Sequence, residues 1–85
     1  MTLTMKYLVT VRDKTGKREE RVFLPEGSTL RDLSAWLHET YGIDVPDSHF
    51  MATLNGRGWK QYPEALSTVL KEGDTVSLFP PIAGG

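Results

Sequence analysis

Apolar residues along this chain change their spacing from two to three-and-four and back to two, and each change marks an element. In "MKYLVTVRD", Tyr7, Val9 and Val11 alternate with Lys6, Thr10 and Arg12, which predicts a strand with one buried face. "KTGK" follows as a turn in which Gly16 is free to take a positive φ. "REERVFLP" then resumes with Val22 and Leu24 two apart, completing a hairpin that ends at Pro25, because proline has no N–H to give to a ladder. From Thr29 the period lengthens. Leu30, Leu33, Trp36, Leu37 and Tyr41 recur at three- and four-residue steps, the stripe of a single helix face. Thr29 as N-cap, Asp32 three residues on, and Gly42 just past the last apolar position mark its two ends.

Past a connection through "IDVPDSH", period two returns. "FMATLNG" predicts a third strand closing on an Asn55-Gly56 turn, "KEGD" another turn, and "TVSLF" a last strand. That strand sets Val76 and Leu78 on one face and Ser77 and Phe79 on the other, so Phe79 is expected to look outward or toward a partner. "RGWKQYPEALSTVL" is the least periodic stretch; Pro63 is able to open a short helical turn, and Leu66, Val69 and Leu70 supply peripheral core. Trp36 is expected in the core, while Trp59 either packs at its margin or belongs to a partner surface. The order hairpin, helix, strand, irregular crossover, strand predicts an α+β fold. Its mixed four- to five-stranded sheet has the first and last strands side by side and one main helix across one face, the β-grasp arrangement.

Composition narrows the chemistry. At 85 residues the chain is one domain with a small core and little room for an enclosed active site. It contains no cysteine, which excludes a disulfide framework, a zinc–thiolate site and a thiol nucleophile. A formal net charge of −1 with interleaved acids and bases provides no electrostatic footprint for nucleic acid. No apolar run approaches the roughly 18 residues of a membrane span, and "MTLTMKYLVTV" lacks the core of a signal peptide, so a cytoplasmic location is expected. His38 lies off the helix stripe and His49 in a connection, which reads as surface rather than metal ligation. With no nucleophile–base pair and no phosphate-cradling glycine loop, neither catalysis nor a bound cofactor is expected of the chain itself.

The distinctive chemistry sits in the ending, "SLFPPIAGG". Pro80 and Pro81 restrict φ and stiffen the exit from the last strand. Ile82 and Ala83 offer apolar grip, and Gly84 and Gly85 add no side chain to a segment threading a narrow channel. The chain thus divides into a body, residues 1–79, and an extended tail, residues 80–85. The chemical group expected to matter in such a tail is the α-carboxylate of Gly85. Its ordinary pKa of about 3.3 to 3.7 leaves it ionised at pH 7, an oxygen nucleophile but a poor acyl donor, and it requires activation by another protein.

"LNG" at Leu54 to Gly56, "LKEGDTVSLFPP" at Leu70 to Pro81, and the terminal "AGG" together resemble the MoaD/ThiS sulfur-carrier family, prokaryotic relatives of ubiquitin, over Met5 to Gly85. The "FPPIAGG" ending is most similar to the MoaD branch, the small subunit of molybdopterin synthase. The resemblance implies a ubiquitin-like β-grasp and a non-catalytic carrier. It implies that a MoeB-like adenylyltransferase uses ATP to adenylate Gly85, and that sulfur from a persulfide donor, a sulfurtransferase, displaces AMP to leave a thiocarboxylate. A MoaE-like large subunit, or another sulfur acceptor, then takes the sulfur, in the MoaD case building the dithiolene of molybdopterin for the molybdenum or tungsten cofactor. Pro80, Pro81, Ile82, Ala83 and Gly84 would thread into the partner, with Phe79 at the interface. Two further readings share these features: a ubiquitin-like modifier joined to protein lysines, or a carrier for a different pathway. A third is a sheet that binds a partner while the tail goes unused.

Overall fold

The helix is the element that its sequence specifies most completely. In the computed structural model, which describes residues 1–45, 47 and 49–81, helix α2 runs Leu30–Tyr41, and both halves of its capping box are formed. The Asp32 N–H donates to Thr29 Oγ1, and the Thr29 N–H donates to Asp32 Oδ2 at 2.8 Å. Gly42 ends the helix at φ +69°, with its N–H donating to the His38 carbonyl, a conformation that a Cβ would strain. Leu30, Leu33 and Leu37 are fully buried, while Trp36 and Tyr41 flank them half-buried against the core.

Against that stripe lies a five-stranded sheet made of β1 (Thr2–Tyr7), β2 (Glu19–Phe23), β3 (Met51–Leu54), β4 (Arg57–Gly58) and β5 (Thr75–Phe79), in the spatial order β2-β1-β5-β3-β4. The first and last strands are central neighbours and parallel, in register from Thr4↔Thr75 to Tyr7↔Leu78, and the other pairings are antiparallel. This is the β-grasp topology expected from the element order. Leu3, Met5, Tyr7, Val22, Leu54, Val76 and Leu78 form the face buried beneath α2. Asn55 and Gly56, at φ +51° and +88°, make the tight turn that returns the chain into β4. That turn is tied to the start of β5: Asn55 Nδ2 donates to Asp74 Oδ1, and the Thr75 N–H donates to Asn55 Oδ1.

The first strand departs from expectation. Its inward alternation is Leu3, Met5, Tyr7, and it stops there; Val9 is 64% exposed at φ +56° and Val11 opens a short helix, α1 (Val11–Thr15). A β-branched residue at positive φ costs on the order of 1–3 kcal/mol. The turn it makes buries Val11 completely, a gain of about 1.5–3 kcal/mol for a valine-sized side chain, so the two effects offset each other. Gly16 does take a positive φ, +80°, but as the cap of α1 rather than in a tight hairpin turn. β1 and β2 remain antiparallel partners from Thr2↔Phe23 to Lys6↔Glu19.

The irregular crossover is more integral than its composition suggests. Trp59 begins a 3-10 turn, Trp59–Gln61, and is only 4% exposed, which makes it core rather than partner surface. Tyr62 donates its hydroxyl to the Leu54 carbonyl. A second 3-10 turn, Ala65–Ser67, follows Pro63. The Leu30 N–H then donates to the Thr68 carbonyl and the Leu70 N–H to the Ser28 carbonyl, latching the crossover to the start of α2. Leu70 is buried, Leu66 half-buried and Val69 exposed.

Candidate functional site

β5 carries the chain out of the molecule from the middle of the sheet. Val76 and Leu78 are fully buried, so Thr75, Ser77 and Phe79 lie on the opposite face, away from α2. Because β1 and β3 both bond to it, the strand that precedes the tail is held on two sides. Pro80 is half-buried and Pro81 exposed. Ile82, Ala83, Gly84 and Gly85, expected to form the threading arm and its reactive end, lie outside the described residues.

Phe79 is on the outer face, as its position in the alternation predicts, but half-buried rather than open. It stands directly opposite Met51 in the β3–β5 ladder, and Met51 is 48% exposed. On the other flank, the Leu8 N–H donates to the Leu78 carbonyl, which brings exposed Leu8 beside Phe79 at the same end of the sheet. Leu8, just past the end of β1, thus lines up with Phe79 of β5 and Met51 of β3 as an apolar row at one end of the sheet, next to Pro80 and Pro81. Residue periodicity singled out Phe79 alone. Met51 was readable from the same period, since an inward Leu54 makes Met51 and Thr53 outward, but its pairing with Phe79 needed the register.

Behind the row, on the helix side, a polar cluster anchors the same end of β1. The Tyr7 hydroxyl donates to Glu20 Oε2 at 2.6 Å, the Tyr41 hydroxyl donates to the same oxygen, and Lys17 Nζ lies 3.0 Å from Glu20 Oε1. Tyr7 and Tyr41 meet edge to face. One carboxylate on β2 therefore ties the ends of β1 and α2 together. Burial, then the hydrogen bond to Glu20, pushes the Tyr7 hydroxyl far above its ordinary range, and the same two causes raise Tyr41. Burial alone would raise the Glu20 carboxyl, but the two hydroxyls and the Lys17 ammonium outweigh it and hold the group below its usual value. The cluster is tied up in its own hydrogen bonds and reads as a brace for the sheet end from which β5 emerges.

His38 and His49 are exposed and pair with Asp44 and Asp47 respectively. Among the described residues no three His, Asp or Glu side chains are grouped as metal ligands would be. Also among the described residues, no helix is long and apolar enough to cross a membrane.

Comparison with known proteins bears directly on the tail. The ThiS family model matches residues 5–85. Small archaeal modifier protein 3 of Haloferax volcanii is 29% identical, with the whole of both chains covered. The Pyrococcus furiosus protein assigned as molybdopterin converting factor subunit 1 is 28% identical and superposes with a TM-score of 0.78 over 95% of this chain and 98% of that one. Subunits 1 and 2 of the molybdopterin-converting factor from Helicobacter pylori have been solved as a complex; the matching chain is 25% identical at a TM-score of 0.68, with both chains fully covered.

Proposed function

Since the chain belongs to the ThiS family of small sulfur carriers and ubiquitin-like modifiers, we propose that it is a sulfur carrier whose working group is the carboxylate of Gly85. A MoeB-like adenylyltransferase binds the tail, and a Gly85 carboxylate oxygen attacks the α-phosphorus of ATP, releasing pyrophosphate and forming an acyl-adenylate. Persulfide sulfur from a sulfurtransferase attacks the acyl carbon and AMP leaves. A thiol then supplies the two electrons that release the donor, and Gly85 ends as a thiocarboxylate. The acceptor is a MoaE-like large subunit that uses the sulfur in molybdopterin synthesis. The chain itself performs no turnover, holds no cofactor and works in the cytoplasm, with ATP consumed by its partner.

The observation that carries this reading is that the family match runs through Gly85, taking in the whole "FPPIAGG" ending. The Leu8–Phe79–Met51 row supports it physically: an apolar strip that continues into the tail suits a partner that must hold the body while it threads the end. Partner binding by a similar chain is exemplified by the Helicobacter pylori complex of subunits 1 and 2.

A second reading rests on the full-length similarity to a small archaeal modifier protein. There a lysine Nζ of a target protein attacks the same acyl-adenylate and expels AMP with loss of a proton, giving an isopeptide bond. Intact-mass measurement after incubation with ATP, a cognate MoeB-like enzyme and a sulfur donor separates the readings. Replacement of one oxygen by sulfur, localised to the C-terminal peptide, is the expected result. Target lysines carrying this chain's C-terminal peptide, which after tryptic cleavage begins at Glu72 because Lys71 is the last basic residue, without that mass gain would shift the conclusion to a modifier. Neither product, with partner binding retained, would leave only an interaction module.

A further inference from the structure

Three hydrogen bonds tie Asn55 to the start of β5, and the residue that follows it is bare. The Asn55 N–H donates to the Thr75 carbonyl at 2.8 Å, Nδ2 donates to Asp74 Oδ1 at 3.0 Å, and Oδ1 accepts from the Thr75 N–H at 2.9 Å. Asp74 is itself fixed, since its Oδ2 accepts from the Lys71 N–H at 2.8 Å. Both heteroatoms of the Asn55 amide are therefore engaged, although the residue stands exposed in its turn. Gly56 is exposed too, and its N–H has no partner among the described residues. A Cβ placed on it would meet nothing within 4 Å.

An asparagine amide next to an unhindered peptide nitrogen is a reactive pair. The Gly56 nitrogen, losing its proton to solvent base, attacks Asn55 Cγ. The tetrahedral carbon expels Nδ2 as ammonia and leaves a five-membered succinimide. Water then opens that ring at one of its two carbonyls: at Cγ to give aspartate, or at the backbone carbonyl to give isoaspartate, in which the chain runs through Cβ. One water is taken up, one ammonia is released, and nothing is oxidised or reduced. In the folded chain this route is obstructed, because the side chain must leave Asp74 and Thr75 before Cγ can reach the Gly56 nitrogen, and the leaving group is itself held by a carboxylate.

Neither product restores the tie. An aspartate at position 55 sets a carboxylate where the amide donated to Asp74, so two like charges replace a donor and an acceptor. An isoaspartate adds a carbon to the backbone of a two-residue turn, and hairpin register depends on loop length, so the Leu54↔Arg57 pairing is lost with it. We propose that Asn55 is a modification site that the fold keeps latent. Water-dependent deamidation through Gly56 proceeds when the tie to Asp74 and Thr75 opens, and its product cannot close that tie again. A chain that has opened here is thereby marked, with β3, β4 and the start of β5 loosened together. The inference goes beyond the carrier chemistry and does not depend on it.

The test incubates the full chain alone, without ATP or any enzyme, at neutral pH and physiological temperature. Mass spectrometry follows aspartate and isoaspartate at position 55 in the tryptic peptide 32–57. The folded parent should convert at least about tenfold more slowly than the same chain in concentrated urea, because reaction through an open form tracks the population of that form. Asp74→Ala removes the acceptor of Nδ2 and should convert several-fold faster than the parent while its NMR spectrum remains that of a folded chain. Thr29→Ala loosens the molecule at the helix cap instead, and should speed conversion less for each degree of melting temperature lost. Equal rates in the folded and unfolded parent would overturn the proposal, whether or not the Asp74 variant folds. So would an Asp74→Ala rate no greater, degree for degree, than that of Thr29→Ala, which would trace the reaction to global unfolding. Recovery of the parent spectrum by the purified isoaspartyl chain would overturn it as well, since the product would then fit the native turn.

Discussion

Met51 and Phe79 face each other across the β3–β5 ladder on the side of the sheet turned away from the helix. Met51 is about half exposed, while Phe79 is more covered. Their pairing joins the strand that delivers the tail to the strand that borders it. On the reading developed above, this pair, with Leu8, is where a partner holds the body of the carrier.

Phe79→Asp should therefore cost binding more than folding. A charge at the centre of a desolvated contact loses about 2–4 kcal/mol, on the order of 30- to 1,000-fold in affinity. The melting temperature should fall by only a few degrees, because among the described residues no helix is packed over the outer face of the sheet. Calorimetric titration against the activating enzyme, alongside thermal unfolding, measures both. Unfolding with undiminished affinity in the residual folded fraction would make Phe79 a core residue instead.

One residue appended after Gly85 should abolish adenylation without touching the fold. The carboxylate would move by about 3.3–3.6 Å and carry a side chain into a channel suited to glycine. ATP–pyrophosphate exchange with a MoeB-like enzyme reads this directly, and exchange at the parent rate would argue against a threaded tail.

Glu20 sets an acid limb of stability. Its carboxyl is held below its usual value in the folded chain, whereas the unfolded chain titrates near about 4.3. The folded state thus binds fewer protons, so the stabilisation is present above about 4.3 and is lost as pH falls through the folded value. Melting temperatures followed from pH 6 down to about pH 3 should fall more steeply for the parent than for Glu20→Gln. Tyr7 acts with the opposite sign: its raised value gives stability that is present below about pH 10 and lost as pH rises further. Tyr7→Phe should flatten that alkaline limb.

Thr29→Ala removes the side-chain acceptor for the Asp32 N–H and with it half of the capping box. A lost cap costs about 1 kcal/mol, which in a domain of this size lowers the melting temperature by roughly 4–8 °C. An unchanged midpoint in thermal denaturation would mean that water replaces the cap at no cost.

Trp59→Ala discriminates core from surface. Buried at 4% exposure, the side chain should cost about 3–5 kcal/mol on truncation, a large share of the 5–15 kcal/mol that holds a typical domain together. Chemical denaturation should show this loss, whereas a residue serving only a partner surface would leave the midpoint nearly unmoved.

Local information was enough for what depends on local physics. The helix, its capping box and its Gly42 stop follow from residues within two turns of one another, and the Asn55-Gly56 turn follows from the ease with which those two residues take positive φ. The reading proposed for the tail likewise rests on residue types alone, Pro80 and Pro81 followed by Ile82, Ala83, Gly84 and Gly85, and calls on no tertiary neighbour. Alternation in β5 likewise separated Val76 and Leu78 from Phe79.

Tertiary structure decided everything that depends on which segments meet. Val9 and Val11 continue the period of Tyr7, yet the chain turns at Val9 because burying Val11 in α1 offsets the strained φ there, a balance invisible to spacing. Trp59 lies in an aperiodic stretch and is core only because the crossover is latched to the start of α2 by the Leu30–Thr68 and Leu70–Ser28 hydrogen bonds. The apolar row, the brace at Glu20 and the tie between Asn55 and Asp74 are each assembled from residues far apart in the chain. Periodicity assigns a side chain to a face, but strand order and register choose its neighbours, and those come from long-range packing that no local pattern encodes.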